Sequence, residues 1–216
     1  MSAPYNPLDK LNLGHSVAEA LLLRPVAPLS QSADHLGAGV YAIYYTGGFE
    51  PYRPVAERNQ NQVFEQPIYV GKAVPKGARK GGLTLDASKG RALRNRLRKH
   101  ASSIAEARNI ELADFQYRSL VIDDIWIPLG ENMMIEKFKP IWNLVIDGFG
   151  NNPTGKRRVT QYRSSWDVLH PGRKFAEKLA SGGTTPEVLV ARLADYFAGH
   201  VVPLITEEAA AEDDEE

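Results

Sequence analysis

The stretch Gly39-Val40-Tyr41-Ala42-Ile43-Tyr44-Tyr45, with its sequel Pro67-Ile68-Tyr69-Val70-Gly71-Lys72, decides the fold. Both runs are rich in β-branched and aromatic residues and are bounded by Gly or Pro, which is the composition of strands. They read as two strands of one sheet. A third run, Asp114 to Ile122, carries Phe115, Tyr117 and Leu120-Val121-Ile122 and completes a small three-stranded antiparallel sheet. Each of the first two strands sets a tyrosine close to a glycine. On one strand alone this would mark only a core aromatic.

Around the strands the periodicity changes. From about Lys89 to Ala107, Leu93, Leu97, Ala101 and Ile104 recur at helical spacing. Arg96 and His100 lie four apart on one edge of that stripe, with Arg91, Arg94 and Arg98 on the opposite side. A further helix begins near Pro128 and ends at Pro140. At 100° per residue, Glu131 projects into the sector of Met134, Ile135 and Phe138, whereas Glu136 points outward with Lys137. A carboxylate on an apolar face costs several kcal/mol unless it meets a cation, a metal or donors, so Glu131 needs a partner. The class is α/β in the α+β sense, a sheet flanked by helices with helical extensions at both ends.

Residues 1–37 form an N-terminal arm, with four prolines around a short helix at Ser16 to Leu23. Residues 46–66 and 73–90 are long insertions, the first irregular and the second punctuated by glycines. Residues 146–205 make a C-terminal extension with helices near Gly172 to Leu179 and Thr185 to Phe197. The acidic tail, 206–216, reads as disordered.

The formal charge of zero conceals an asymmetry. Seven acids and no base follow Thr206, so the preceding chain carries about seven excess positive charges. Between Lys72 and Lys99 ten bases face one acid, Asp86, a density of one sign that suits a polyanion partner. The absence of cysteine excludes disulfides and thiolate zinc sites, leaving oxygen or histidine ligands for any metal. No apolar run of about 18 residues or basic-then-apolar leader is present, so a cytoplasmic protein without a membrane span is expected.

In chain order the chemistry-bearing residues are Tyr41, Tyr69, Lys72, Arg96, His100, Glu131 and Asn143, the last following Pro140. This series resembles the GIY-YIG nuclease superfamily, with Gly39-Val40-Tyr41 and Tyr69-Val70-Gly71 as the two name motifs. The resemblance covers about residues 38–145, the catalytic domain. It departs from compact members in the two insertions and in His100, where many members have Tyr.

The resemblance implies hydrolysis of phosphodiester bonds. That reaction needs an activated water, positive charge for the transition state and relief of charge on the leaving oxygen. Glu131 would ligate one Mg²⁺, with Mn²⁺ able to substitute, and Arg96 would clamp the scissile phosphate. Tyr41 would be the base if neighbouring cations such as Lys72 lowered its pKa well below about 10. Tyr69 would support it or bind phosphate, His100 would bind phosphate or act as an alternate base, and Asn143 would orient Glu131 or its neighbours. DNA contacts fall to Lys76, Arg79, Lys80, Lys89, Arg91, Arg94 and Arg98, and to Lys156, Arg157, Arg158 and Arg163 in the extension.

With no appended DNA-binding module, specificity would reside in the loops and the extension. The pattern looks close to the small type II restriction enzymes that cut a GC-rich palindrome resembling CCGCGG. Double-stranded DNA is then the substrate, no nucleotide cofactor is needed, and a homodimer supplies one site per strand. A structure-specific or repair GIY-YIG nuclease is the first alternative. A non-catalytic DNA-binding protein is the second.

Overall fold

The computed structural model describes residues 6, 9–34, 36–74, 90–151 and 162–203. Its centre is a four-stranded antiparallel sheet in the order β1-β4-β2-β3, comprising β1 (Ala27–Pro28), β2 (Gly39–Tyr45), β3 (Pro67–Ala73) and β4 (Phe115–Val121). The sequence gives three of these. The fourth, β1, is two residues paired to Tyr117 and Gln116, too short to carry a periodic signal.

All seven residues of β2 are buried because it has a strand on either side and helices on both faces. Its period-two alternation divides the molecule. Tyr41, Ile43 and Tyr45 enter the larger core, and Val40, Ala42 and Tyr44 the smaller one. The larger core receives α3 (Ala92–Glu106), α5 (Ile141–Leu144), α6 (Ser165–Leu169) and α7 (Pro186–Phe197). The smaller is closed by α1 (Lys10–Leu22) and α4 (Ile127–Phe138), which pack on each other.

β3 is an edge strand, and the chain turns round that edge between α4 and α5. Lys139 ends α4 in the left-handed conformation, at φ 45°, and Pro140 prevents the helix from continuing. Asn143 then meets β3 side-on. Its Nδ2 donates to the Val70 carbonyl and its Oδ1 accepts from the Val70 amide, each at 2.8 Å. One side chain thus satisfies a backbone pair that the sheet leaves unpaired on that side.

Several expectations need correcting. The helix in the arm is longer than the apolar stretch suggests, beginning at Lys10 under an Asp9 cap. Residues 46–66 are not irregular throughout, since α2 (Arg53–Arg58) lies between 3₁₀ turns at Glu50–Tyr52 and Gln60–Gln62. The helix expected at Gly172 to Leu179 shrinks to a 3₁₀ turn at Ala176–Lys178. Gly172 stands at φ 145°, and the only helical turn is the one whose end carbonyls Arg163 takes up. Among the described residues, no helix is long and apolar enough to cross a membrane.

Candidate active site

All seven candidate residues gather at β3, on both sides of its edge. Tyr41 of β2 stands opposite Gly71 in the antiparallel register. A Cβ on Gly71 would collide with the Tyr41 hydroxyl and come within 2.6 Å of its Cζ. The glycine of the second motif therefore exists so that the tyrosine of the first can lie across β3.

On the face of the larger core, the Tyr41 hydroxyl meets His100 Nε2 at 2.7 Å and also takes a hydrogen bond from Arg96. With the oxygen accepting from Arg96, its own proton is available to Nε2, and in that tautomer the neutral imidazole carries its hydrogen on Nδ1. Tyr69 packs beside this pair, its ring centroid 6.2 Å from that of Tyr41 and 5.2 Å from that of His100.

Burial governs the electrostatics. It pushes the Tyr41 phenol well above its ordinary range, with Tyr69 and Glu131 adding to the rise and Arg96 opposing it. Burial also drives the His100 imidazole well below its ordinary range, reinforced by Arg96, Lys99 and Arg173. The expectation that Lys72 would lower the Tyr41 pKa is not met. Lys72 leaves β3 from the opposite face, and its Nζ lies 2.7 Å from Oε2 of Glu131.

That ion pair gives Glu131 the partner its position demanded, with only 13% of the acidic side chain exposed. Among the described residues no three acids or histidines come together as a metal cluster. A single half-buried carboxylate suits a hard, oxygen-seeking ion such as Mg²⁺ that keeps most of its own water, so the donor set fits one such ion. Asn143, expected to orient Glu131 or its neighbours, holds Val70 instead, and so fixes the strand that carries Tyr69 and Lys72.

Of the residues expected to meet DNA, Arg91 and Arg98 are exposed at α3 and Arg94 is half-buried there. Arg163 uses Nε and Nη2 on the carbonyls of Ala176 and Glu177. Lys76, Arg79, Lys80, Lys89, Lys156, Arg157 and Arg158, like the acidic tail, lie outside the described residues.

One part of the site escaped the sequence reading. The turn at Gly148-Phe149-Gly150 covers the His100 side, with the Phe149 ring stacked on the imidazole at 4.6 Å and 18°. The Gly150 carbonyl accepts from Arg96 Nη1 and Lys99 Nζ, at 3.3 and 2.6 Å. The available signal was the pair of glycines flanking an aromatic residue, both of which adopt positive φ, at 91° and 89°.

Comparison with known proteins agrees with this architecture. The family model described as the Eco29kI GIY-YIG domain matches residues 33–197. A search of curated proteins found no match.

Proposed function

Because the chain belongs to the Eco29kI GIY-YIG domain family, a family of restriction endonucleases, we propose that it is a type II enzyme cutting both strands of DNA at a short GC-rich palindrome such as CCGCGG. One observation carries the reading, namely the buried Tyr41-His100 hydrogen bond set beside the Lys72-Glu131 ion pair across the edge of β3. A packing role alone would not call for four titratable groups and Arg96 at one strand edge.

In the proposed reaction, Tyr41 takes a proton from water as its own proton passes to His100 Nε2. The hydroxide attacks phosphorus, the P–O ester bond breaks, and the departing oxygen takes a proton from solvent. A phenol held protonated by burial is a poor base alone; the neutral imidazole at 2.7 Å offers an acceptor, but the burial and cations that keep it neutral also oppose its protonation, so the transfer relies on the negative charge that bound phosphate brings. His100 thus works from behind Tyr41 rather than on the phosphate, because its Nε2 is already engaged by the Tyr41 hydroxyl. Arg96 stabilises negative charge developing on Tyr41 and on the phosphate. Glu131 would hold one Mg²⁺, with Mn²⁺ as a substitute, and such an ion when bound polarises the phosphate and neutralises the leaving oxygen.

Tyr41 is closed from solvent in the free protein, so DNA binding must admit the hydrolytic water. One site cuts one strand, and a palindrome therefore calls for a two-fold homodimer. Plasmid DNA incubated with protein and Mg²⁺, beside Glu131→Ala and Arg96→Ala, tests the proposal. Discrete fragments from the wild type alone, with one palindrome at their ends, are expected. Random nicking, a preference for branched DNA, or full activity in either variant would overturn it.

A further inference from the structure

We propose that the turn Gly148-Phe149-Gly150, braced from behind by Arg173, is a positioning element that holds the imidazole of His100 and the guanidinium of Arg96 in register with Tyr41. The roles of His100 and Arg96 rest on the nuclease reading above, whereas the geometry of the turn does not.

A catalytic histidine is ordinarily aimed by a hydrogen bond at its second ring nitrogen. Here Nδ1 of His100 is buried and meets no hydrogen-bonding partner among the described residues. Orientation must then come from ring packing. Tyr41 and Tyr69 supply two sides at centroid distances of 5.5 and 5.2 Å, and Phe149 supplies the parallel face at 4.6 Å. Phe149 is itself fixed by Trp142 at 4.3 Å, Tyr69 at 4.9 Å and Trp166 at 5.5 Å. The next residue holds the second group, since the Gly150 carbonyl accepts from Arg96. A Cβ at Gly150 would stand 2.8 Å from Cε1 of His100, so the backbone runs too close to the ring to admit a side chain there.

The brace lies in the segment beyond the motifs. Arg173, 1% exposed, forms a two-pronged pair with Asp167 at 2.6 and 2.7 Å, and its Nη2 also donates to the Gly148 carbonyl at 2.9 Å. Its guanidinium lies 4.5 Å over the Trp166 ring, and Ser164 Oγ donates to Asp167 at 2.8 Å. The Trp166 amide closes the loop on the Asp147 carbonyl at 2.9 Å. Buried pairs of this kind contribute little net stability but define geometry sharply, which suits a part that must not move. The charged and titratable groups facing His100 are Arg96, Lys99, Arg173, Tyr41 and Tyr69. Burial keeps the imidazole neutral, reinforced by the three cations, and Phe149 covers its face.

Because Arg173 is wholly buried, its substitution threatens the fold, and the decisive variants are Phe149→Leu and Phe149→Tyr. Leucine keeps apolar volume and loses the stacking face; tyrosine keeps the face. Phe149→Leu should bind plasmid DNA within about twofold of wild type yet lose about 10²-fold in single-turnover cleavage, the scale for a catalytic group displaced by about 1 Å. Phe149→Tyr should recover most of that rate. In the free protein, NMR should show the His100 imidazole moving out of the ring-current field in Phe149→Leu and gaining a titration in the ordinary histidine range. A folded Phe149→Leu protein with unchanged His100 resonances, or a wild-type cleavage rate, would overturn the proposal, as would Phe149→Tyr being equally slow. If the wild type does not cleave DNA, the nuclease reading falls while the His100 resonances still decide the positioning role.

Discussion

The Tyr41 hydroxyl and His100 Nε2 stand 2.7 Å apart, both residues wholly buried between the sheet and α3. Neither group is in a state to act alone, for the phenol is held protonated and the imidazole is held neutral. Together they form a donor and an acceptor. Tyr41→Phe and His100→Ala should each cut single-turnover cleavage by about 10²–10⁴-fold, the usual share of general acid-base catalysis. Gel-shift affinity for DNA without metal should stay within a few-fold, and a His100→Ala enzyme of normal rate would remove the imidazole from the reaction.

Lys72 and Glu131 pair at 2.7 Å where the acid is only 13% exposed. Lys72→Met should leave a shielded carboxylate without its cation, costing about 1–3 kcal/mol of stability. Mg²⁺ should repair part of that loss by taking the vacated position. Melting temperatures with and without Mg²⁺ provide the check, and the rise should be larger for Lys72→Met than for wild type. Equal shifts would count against Glu131 as the metal ligand.

Asn143 reaches Val70 through two hydrogen bonds of 2.8 Å on the outer edge of β3. Asn143→Ala should cost about 1–3 kcal/mol, since a buried amide and carbonyl lose their partner. Hydrogen exchange at the Val70 amide should accelerate before that of Ala42, which lies inside the sheet. Cleavage should fall with it because Tyr69 and Lys72 flank the loosened residue.

His170 predicts how the protein responds to acid. Burial, reinforced by Arg173, lowers its pKa to about 3, and its Nε2 accepts from Tyr52 at 2.6 Å while Trp142 Nε1 donates to the Tyr52 oxygen at 2.8 Å. The unfolded chain takes up a proton near pH 6.5 and the folded chain does not until about pH 3, so stability is complete above 6.5 and is lost as pH falls through that window. The slope from this group approaches about 1.4 kcal/mol per pH unit, and His100 adds to it with the same sign. Urea midpoints at pH 7, 6 and 5 should fall accordingly. His170→Gln should flatten the trend, and an unchanged slope would place the acid sensitivity elsewhere.

The chain by itself determined whatever depends on neighbours along it. The alternation in Gly39 to Tyr45 fixed β2, and the apolar spacing of Leu93, Leu97 and Ile104 fixed α3. Helical geometry placed Glu131 on an apolar face and thereby required a partner for it. Tertiary structure alone decided which partner that was. Lys72 and Tyr41 are close along the sheet but point to opposite faces of it, so the lysine serves Glu131 while burial and Arg96 set the phenol. The same reason hides Phe149 and Arg173, whose contacts with His100 and Gly148 span 49 and 25 residues and leave no periodic trace. Period and motif record local geometry, whereas desolvation is a property of everything packed around a group. The directions of the Tyr41 and His100 shifts therefore became fixed only when α3, the sheet and the turn after α5 closed over them.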